Sequence, residues 1–275
     1  MIRLICSDVD GTLVQDGSKN INPEYFDVIC KLRAKGIQVA IASGRPESSI
    51  SSLFKPIEEK IFFIAAGGAM ISTCSRQLFA WALPEEIWKK MIVQMRQIPT
   101  MEVQVNGTKC SYLETKDEEF WRWVTEDYGI DAVRMDDLLE IDDEIISLNF
   151  YNREGRIDEL MGDFIREWKD QYKVVRSGFV WLDVSRKDVN KGNAVAFLQD
   201  ALGIKPEETM AFGDQNNDVE MMRQAYYSCA VGNAVPATKE AARYTIDTCK
   251  EEGVLKVLKQ LLASLEEHTD RSQTE

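Results

Sequence analysis

The stretch Asp8-Val9-Asp10-Gly11-Thr12 follows the apolar run 2–6, which predicts a buried strand near the start of the chain. Side chains two positions apart in a strand project to the same side, so Asp8 and Asp10 are expected to share one face where the strand ends. Gly11 permits a sharp departure of the backbone, and Thr12 adds a hydroxyl at the same point. Such a pair of carboxylates is found in ordinary turns as well as in catalytic sites, so its interpretation depends on the rest of the chain.

The first 80 residues alternate strand and helix signals. Asn22-Pro23 is typical of a helix start and Gly36 of a helix stop. A strand at 37–42, a short helix at 46–54 and a strand at 61–65 follow. The alternation returns near the C-terminus, with helices predicted at 192–202, 218–224, 236–243 and 254–265 and strands at 209–212 and 228–231. This rhythm predicts a parallel sheet with helices on both faces, followed by a polar segment, 266–275, that is expected to fray.

The middle of the chain has a different pattern. Apolar residues at helical spacing predict a helix through 87–98, and Asn106-Gly107 between the candidate strands 101–105 and 110–113 is a strong hairpin signal. Further helices are predicted at 117–128 and 156–168, and further strands at 145–151, 173–175 and 179–184. Four tryptophans are expected to serve core or inter-domain packing rather than a ligand cage: Trp88, Trp121, Trp123 and Trp168. We therefore expect an α/β domain, 83–186, inserted into a core domain of residues 1–82 and 187–275.

Length and composition limit the classes of function. The 275 residues suit about two domains, and 33 basic against 46 acidic side chains give a net charge of −13. This balance disfavours nucleic acid or an anionic membrane as a partner, although a local cationic site can still bind a small anion. Six cysteines without a Cys-x-x-Cys pair, and a single histidine, His268, argue against zinc and for reduced thiols. With no secretion signal and no run of ~18 apolar residues, a cytoplasmic protein is predicted; its oligomeric state is not specified.

Three further segments place polar side chains where predicted core strands end or helices begin: Ser43-Gly44-Arg45-Pro46, Lys191-Gly192 and Gly213-Asp214-Gln215-Asn216-Asn217-Asp218. In an open parallel sheet, ligands bind at the carboxyl ends of the strands. Asp8, Ser43 and Asp214 each follow a strand signal. We therefore expect these three residues to meet at one edge of the sheet.

Four carboxylates are expected near this edge, those of Asp8, Asp10, Asp214 and Asp218. At ~4 Å and an effective dielectric constant near 20, each like-charge pair costs about 4 kcal/mol, most of which a divalent cation would remove. A set of oxygen ligands without His or Cys favours a hard ion, Mg²⁺ before Mn²⁺ or Ca²⁺. Two alternatives remain: a passive cation site at Asp8 and Asp10, and a solvated turn at 214–218 that caps the next helix.

The remaining polar groups suit a phosphate ester. Ser43 offers a hydroxyl and, beside Gly44, backbone amides at a predicted helix start, although an ordinary N-cap has the same pattern. Lys191 supplies a positive charge for phosphoryl oxygens, with Lys187 as an alternative. A carboxylate can accept a phosphoryl group, and a second carboxylate two residues further on is close enough to act as acid and base.

Taken together and in this order, the four segments resemble the motifs of the haloacid dehalogenase (HAD) superfamily, and the long insert resembles the α/β cap of its Cof-type branch. The resemblance implies a Rossmann-like α/β core with an inserted cap, Asp8 as nucleophile and Asp10 as acid and base. It also implies a Mg²⁺ ion and a phosphate site. The metal would be bound by the side chains of Asp8 and Asp214 and the carbonyl of Asp10, with support from Asp218, and the substrate by Ser43, Gly44, Arg45, Lys191 and Asn217.

The implied activity is Mg²⁺-dependent hydrolysis of small phosphorylated metabolites, with sugar phosphates as the expected class and an aspartyl phosphate as intermediate. A phosphomutase would share Asp8 and Asp10, whereas a non-catalytic phosphate-binding protein is expected to lack one of them. Two positions depart from the family pattern: Ser7 stands where a large apolar residue is common, and Gly67 where Cof-type relatives usually have Asn. The second change removes a polar group from the rim of the expected site.

Overall fold

The computed structural model describes residues 1–15, 20–98, 100–127, 129–176 and 180–273. The chain forms two compact units, Met1–Phe79 with Asn190–Glu275, and Ala80–Val189. The fold class is the predicted one, an α/β protein with a parallel sheet at its centre. The domain boundaries expected from the sequence, 1–82 with 187–275 for the core and 83–186 for the inserted domain, stay a prediction.

The N-terminal segment alternates strands and helices as predicted. Asn22 accepts a hydrogen bond from the Glu24 backbone N–H at 3.0 Å, so it caps the first helix from two residues upstream. Two further strands, Met70–Thr73 and Arg76–Ala80, do not appear among the strands predicted from the sequence; the second of them is largely exposed. The elements are β1 Leu4–Asp8, α1 Glu24–Ala34, β2 Gln38–Ala42, α2 Glu47–Leu53, β3 Phe62–Ala65, β4 Met70–Thr73 and β5 Arg76–Ala80.

The second unit contains four short helices and six strands among its described residues. Its elements are α3 Glu85–Met95, β6 Glu102–Gly107, β7 Ser111–Leu113, α4 Glu118–Arg122, β8 Ala132–Arg134, β9 Ile145–Tyr151, α5 Ile157–Leu160, α6 Gly162–Trp168, β10 Tyr172–Arg176 and β11 Trp181–Arg186. A π-helical turn, Trp123–Asp127, continues α4. Position 128, the predicted end of that helix, and position 179, the predicted start of the last strand, lie outside the described residues.

The C-terminal segment returns to the first unit and again alternates as predicted. Gly203, in the left-handed region with φ 61°, ends the first of its helices as expected. The last helix, predicted at 254–265, extends to Gln273. That the polar segment 266–275 frays stays a prediction. The elements are α7 Lys191–Leu202, β12 Thr209–Gly213, α8 Val219–Gln224, β13 Tyr227–Ala230, α9 Pro236–Ala241, β14 Tyr244–Thr245 and α10 Gly253–Gln273.

The strands of the first unit form an eight-stranded sheet in the order β14-β13-β12-β1-β2-β3-β4-β5. Neighbouring strands from β14 to β3 are parallel, and β4 is antiparallel to β3. The chain runs outward from β1 through β2 to β3 on one side and through β12 to β13 on the other. The strand order thus reverses at β1, which is where open α/β sheets bind their ligands.

Two local predictions in the second unit need correction. The hairpin between β6 and β7 is present, but Asn106-Gly107 lies in the strand and the turn follows it. A Cβ atom at Gly107 would lie 2.0 Å from Asp143 Oδ2, so glycine here permits the close approach of Asp143, which binds Thr108 Oγ1 at 2.8 Å. The helix predicted at 156–168 breaks at Met161, before Gly162, a residue of low helix propensity.

The six-stranded sheet of the second unit has the order β10-β11-β9-β6-β7-β8. One face carries the main apolar core, and the other carries both a smaller aromatic cluster and polar side chains. Alternate residues of its central strands pack with α3 and α6 in the main core, where Trp88 and Trp168 are buried as predicted. Trp121 and Trp123 pack against a smaller cluster around Phe120. The opposite side bears a row of hydrogen-bonded polar side chains, here called the amide row: Gln104, Asn106, Ser111, Ser147, Asn149 and Asp183.

No helix within the described part of the chain combines the length and apolar character that a membrane crossing requires.

Candidate active site

The predicted site residues of the first unit lie at the carboxyl ends of three adjacent strands. Asp8 is the last residue of β1, Ser43 follows β2, and Asp214 follows β12. Because these strands are parallel neighbours, their ends meet at one edge of the sheet. The convergence expected from the sequence is therefore the observed one.

Three buried carboxylates converge at this edge. Asp8, Asp214 and Asp218 each place one oxygen within 4.8 Å of the others. The ammonium of Lys191, which has 0% exposure, donates to Asp8 Oδ1 at 2.5 Å and to Asp218 Oδ1 at 2.6 Å. Asp8 Oδ2 is buried and has no hydrogen-bond partner within the part of the chain that the structure describes. An unsatisfied buried carboxylate oxygen beside two other carboxylates is a natural ligand for a cation.

The charge balance of the cluster shifts two pKa values. Burial raises the pKa of Asp8 to about 7; Lys191 partly opposes this shift, and Asp218 and Asp214 add to it. Burial alone would lower the pKa of Lys191, but the carboxylates of Asp8 and Asp218 outweigh that effect and raise it. Lys191 is thus held charged, while the ionised form of Asp8 lacks sufficient compensation. A divalent cation would supply it.

Both carboxylate oxygens of Asp218 accept hydrogen bonds, whereas among the described residues only one oxygen of Asp8 does. Its Oδ2 accepts hydrogen bonds from the backbone N–H groups of Asp214 and Gln215 at 2.9 and 3.0 Å, while Oδ1 accepts from Lys191. These bonds fix the loop that follows β12. The arrangement favours Asp218 as a support for the cluster and Asp8 as the carboxylate available to bind a cation.

The carboxylate of Asp10 does not join this cluster. It accepts two hydrogen bonds from Arg45, from Nε at 2.8 Å and from Nη2 at 2.5 Å, in a half-buried ion pair. The sequence predicted that Asp10 shares a face with Asp8 and that Arg45 binds substrate. In this structure the Arg45 guanidinium contacts Asp10, a pairing that no local sequence pattern reveals.

The other residues predicted to bind phosphate differ in how exposed they are. Ser43 is buried, and its Oγ accepts a hydrogen bond from the Arg45 N–H at 3.1 Å, in the loop before α2. Because α2 begins only at Glu47, Ser43 is not the N-cap of that helix. Gly44 is exposed with open space beside its Cα, and Asn217 is exposed in the short turn that precedes α8. Their roles toward phosphate stay predictions.

The structure supplies a partner for Thr12 and an explanation for Gly67, neither of which the sequence showed. Thr12 Oγ1 donates to Asp214 Oδ1 at 3.2 Å, which ties the first motif to the fourth. Gly67, where Cof-type relatives usually have Asn, has φ 66° and ψ 22°. Glycine and asparagine are the residues that best tolerate this left-handed conformation, so the exchange preserves the backbone and removes only a polar side chain.

Comparison with known proteins decides the family. A sequence model of the haloacid dehalogenase-like hydrolases matches residues 5–258. The chain belongs to this family. Among solved structures, an HAD-fold relative from Eubacterium rectale is 35% identical, with a TM-score of 0.90 over 94% of this chain and 99% of that chain.

Named relatives of this HAD hydrolase are phosphatases. The 5-amino-6-(5-phospho-D-ribitylamino)uracil phosphatase YbjI of Escherichia coli is 28% identical over 262 residues, or 95% of this chain and 96% of that protein. The phosphatase YcsE of Bacillus subtilis, named for the same substrate, is 26% identical over 94% of this chain and 95% of that protein. The chain is therefore a phosphatase of the HAD family.

Proposed function

We propose that this phosphatase hydrolyses small phosphorylated metabolites with Mg²⁺ and through an aspartyl phosphate on Asp8. The observation that supports it most directly is the buried, unpartnered Asp8 Oδ2 at the switch point of the sheet, beside Lys191, Asp214 and Asp218. A carboxylate in this position is aimed at a ligand rather than satisfied by the protein.

The donor set fits a hard divalent cation. The converging ligand atoms are carboxylate oxygens, which Mg²⁺ prefers, and the cluster carries more negative charge than Lys191 can offset. We assign the metal to the side chains of Asp8 and Asp214 and the carbonyl of Asp10, with Asp218 as the supporting group. When bound, Mg²⁺ would neutralise these acids and screen the phosphate from them.

The residues of the chain then divide the reaction into two balanced steps. In the first, the Asp8 carboxylate attacks phosphorus, the ester bond breaks, and the departing oxygen takes a proton from Asp10. In the second, Asp10 takes a proton from water, whose oxygen attacks phosphorus and displaces the Asp8 carboxylate, so that inorganic phosphate leaves. Lys191, Ser43, Gly44 and Asn217 would hold the phosphoryl oxygens, and Lys191 also orients Asp8.

For the substrate, we propose phosphorylated sugars and sugar alcohols, alone or attached to a base. YbjI and YcsE are named for a phosphoribitylamino compound, whose chain of hydroxyl groups ends in a phosphate. A cytoplasmic location, and the exclusion of nucleic acid and membrane as partners, stay predictions from composition.

A turnover screen tests the proposal. Sugar phosphates, sugar-alcohol phosphates, nucleotides and an aryl phosphate would be offered with Mg²⁺ and with a chelator, and phosphate release would be measured. Chelator-sensitive release and a covalent phosphate on residue 8, found by mass spectrometry of acid-quenched enzyme, are expected. A phosphomutase would return the phosphoryl group to an added sugar phosphate, and a binding protein would show no turnover; either outcome would replace the proposal.

A further inference from the structure

The loop 231–235, which follows β13, is hydrogen-bonded to both acid-bearing segments. The Val235 N–H donates to the Asp214 carbonyl at 2.9 Å, and the Val231 N–H to the Gly213 carbonyl at 3.3 Å. Asn233 Nδ2 donates to the Gly11 carbonyl at 2.8 Å, in the turn that follows Asp8 and Asp10. One short loop therefore binds the first and the fourth motifs.

Asn233 uses both ends of its amide in this bridge. While Nδ2 donates to Gly11, Oδ1 accepts from the backbone N–H of Cys249 at 2.8 Å. Cys249 is buried and begins the short helical turn Cys249–Glu251 that leads into α10. The side chain thus links the motif turn to a fixed part of the fold, although Asn233 itself lies on the surface.

The position of Gly11 bears directly on Asp214. Gly11 has φ 78°, and a Cβ atom there would lie 2.3 Å from Asp214 Oδ2. The next residue, Thr12, donates to Asp214 Oδ1 at 3.2 Å. A displacement of this turn would therefore change the spacing between the two carboxylates expected to share the metal, Asp8 and Asp214. Mutual repulsion of the carboxylates favours such a displacement.

We propose that Asn233 is a positioning residue, whose hydrogen bond to the Gly11 carbonyl sets the distance between the Asp8–Thr12 turn and Asp214. The inference rests on the proposed Mg²⁺-dependent function, because the spacing matters for a shared cation. Groups that orient metal ligands typically contribute about 10–100-fold to metal affinity or activity. No contact of Asn233 with substrate is needed for this role.

Two substitutions separate the two hydrogen bonds of Asn233. Asn233→Asp keeps an acceptor for the Cys249 N–H but loses the donor to Gly11, whereas Asn233→Ala loses both. The added charge of the aspartate would by itself tighten cation binding, so weaker binding in that variant isolates the lost bond. Thr248→Ala is the comparison variant. It removes the cap of the turn that Cys249 begins, where Thr248 Oγ1 donates to the Glu251 carboxylate at 2.7 Å and accepts from the Glu251 N–H at 3.3 Å, but it leaves the Asn233–Gly11 contact in place.

Three measurements on the full chain are needed: Mg²⁺ binding by calorimetry, kcat and KM for an aryl phosphate, and deuterium exchange of residues 9–14 without metal. In both Asn233 variants we expect Mg²⁺ affinity and kcat to fall about tenfold while KM changes less than about twofold. Exchange of 9–14 is expected to be faster, because the Gly11 N–H to Val14 carbonyl bond, 2.7 Å long, loses its support. The Thr248 variant is expected to match the wild type.

The inference would be overturned if Asn233→Asp had the same Mg²⁺ affinity, kcat and exchange rate as the wild type. It would also be overturned if Thr248→Ala lost as much Mg²⁺ affinity and kcat as the Asn233 variants. A wild-type enzyme that neither binds Mg²⁺ nor releases phosphate would instead refute the proposed function. Faster exchange of 9–14 in metal-free Asn233→Asp would still support the positioning role of the Asn233–Gly11 hydrogen bond in that case, so the two failures are distinguishable.

Discussion

The carboxyl-end edge of the eight-stranded sheet and the amide row of the six-stranded sheet differ in how their polar groups are paired. At the edge, three buried carboxylates converge near Lys191, and Asp8 Oδ2 has no hydrogen-bond partner among the described residues. In the amide row, polar side chains bind one another: Gln104 Nε2 donates to Asn106 Oδ1 at 2.7 Å, and Asn106 Nδ2 to Ser147 Oγ at 3.0 Å. An incomplete charged cluster destabilises the free protein and is suited to bind a ligand, whereas a row of paired, half-buried polar groups stabilises its own sheet.

The largest expected effect is on turnover at the charged edge. Asp8→Asn should reduce kcat for an aryl phosphate by at least about 10³-fold, since the amide cannot accept the phosphoryl group. Phosphate release and circular dichroism would be measured together, with Asn149→Ala in the amide row as the matched variant that retains activity. Turnover in Asp8→Asn near the wild-type value would remove Asp8 as nucleophile.

Metal removal is expected to affect the carboxylate cluster of Asp8, Asp214 and Asp218 but not the amide row. Chelation should abolish phosphate release and Mg²⁺ should restore it. At a Mg²⁺ concentration of ~100 Kd, the free energy of unfolding should rise by about 2.7 kcal/mol. The comparison is the melting temperature with and without Mg²⁺ in the wild type, Asp8→Asn and Asn149→Ala. We expect the increase in the first and third proteins only; an equal increase in all three would place the metal elsewhere.

The stability of the metal-free protein should depend on pH through Asp8. Its pKa in the folded protein, about 7, lies above the value of 3.8 for an unperturbed Asp. Between these values the folded state keeps a proton that the unfolded chain has lost, so rising pH lowers the free energy of unfolding. In Asp8→Asn this group cannot ionise, so its free energy of unfolding should exceed that of the wild type by about 2–4 kcal/mol at pH 8. Denaturant titrations at pH 5 and pH 8 that show no difference in this gain would contradict the assignment.

A smaller effect is expected from the ion pair of Asp10. If Arg45 positions that carboxylate, Arg45→Gln should lower kcat about tenfold and leave KM for an aryl phosphate within about twofold, and Arg45→Lys should recover part of the loss. If Arg45 binds the phosphate instead, as the sequence suggested, KM should rise with kcat little changed. Steady-state kinetics of the two variants separate these outcomes.

The smallest expected effect is in the amide row. Asn149→Ala should destabilise the protein by about 1 kcal/mol, because its partners Asn106 and Asp183 each lose a hydrogen bond. Denaturant titrations of the variant and the wild type measure this difference. An unfolding free energy equal to the wild-type value would contradict it.

Local sequence patterns were sufficient for the long, buried elements and for the edge where the site lies. β1 and β12 are buried along their whole length and each contains three consecutive apolar residues, so their carboxyl ends, and Asp8 and Asp214 with them, could be located. The short strands β8 and β14 could not, since they are only three and two residues long and mostly exposed. At Asn106-Gly107 the hairpin was predicted, but not the position of its turn; Gly107 lies in the strand, where it leaves space for the distant residue Asp143.

The sequence by itself determined which chemical groups this phosphatase has and at which strand ends they lie, because residue type and hydrophobic period are local properties. Only the tertiary structure decided how those groups are paired: Lys191 with Asp8 and Asp218, Arg45 with Asp10, and Asn233 with Gly11. Each of these contacts joins residues far apart in the chain. Their choice depends on the packing of parallel strands and the loops between them, which no short stretch of sequence encodes.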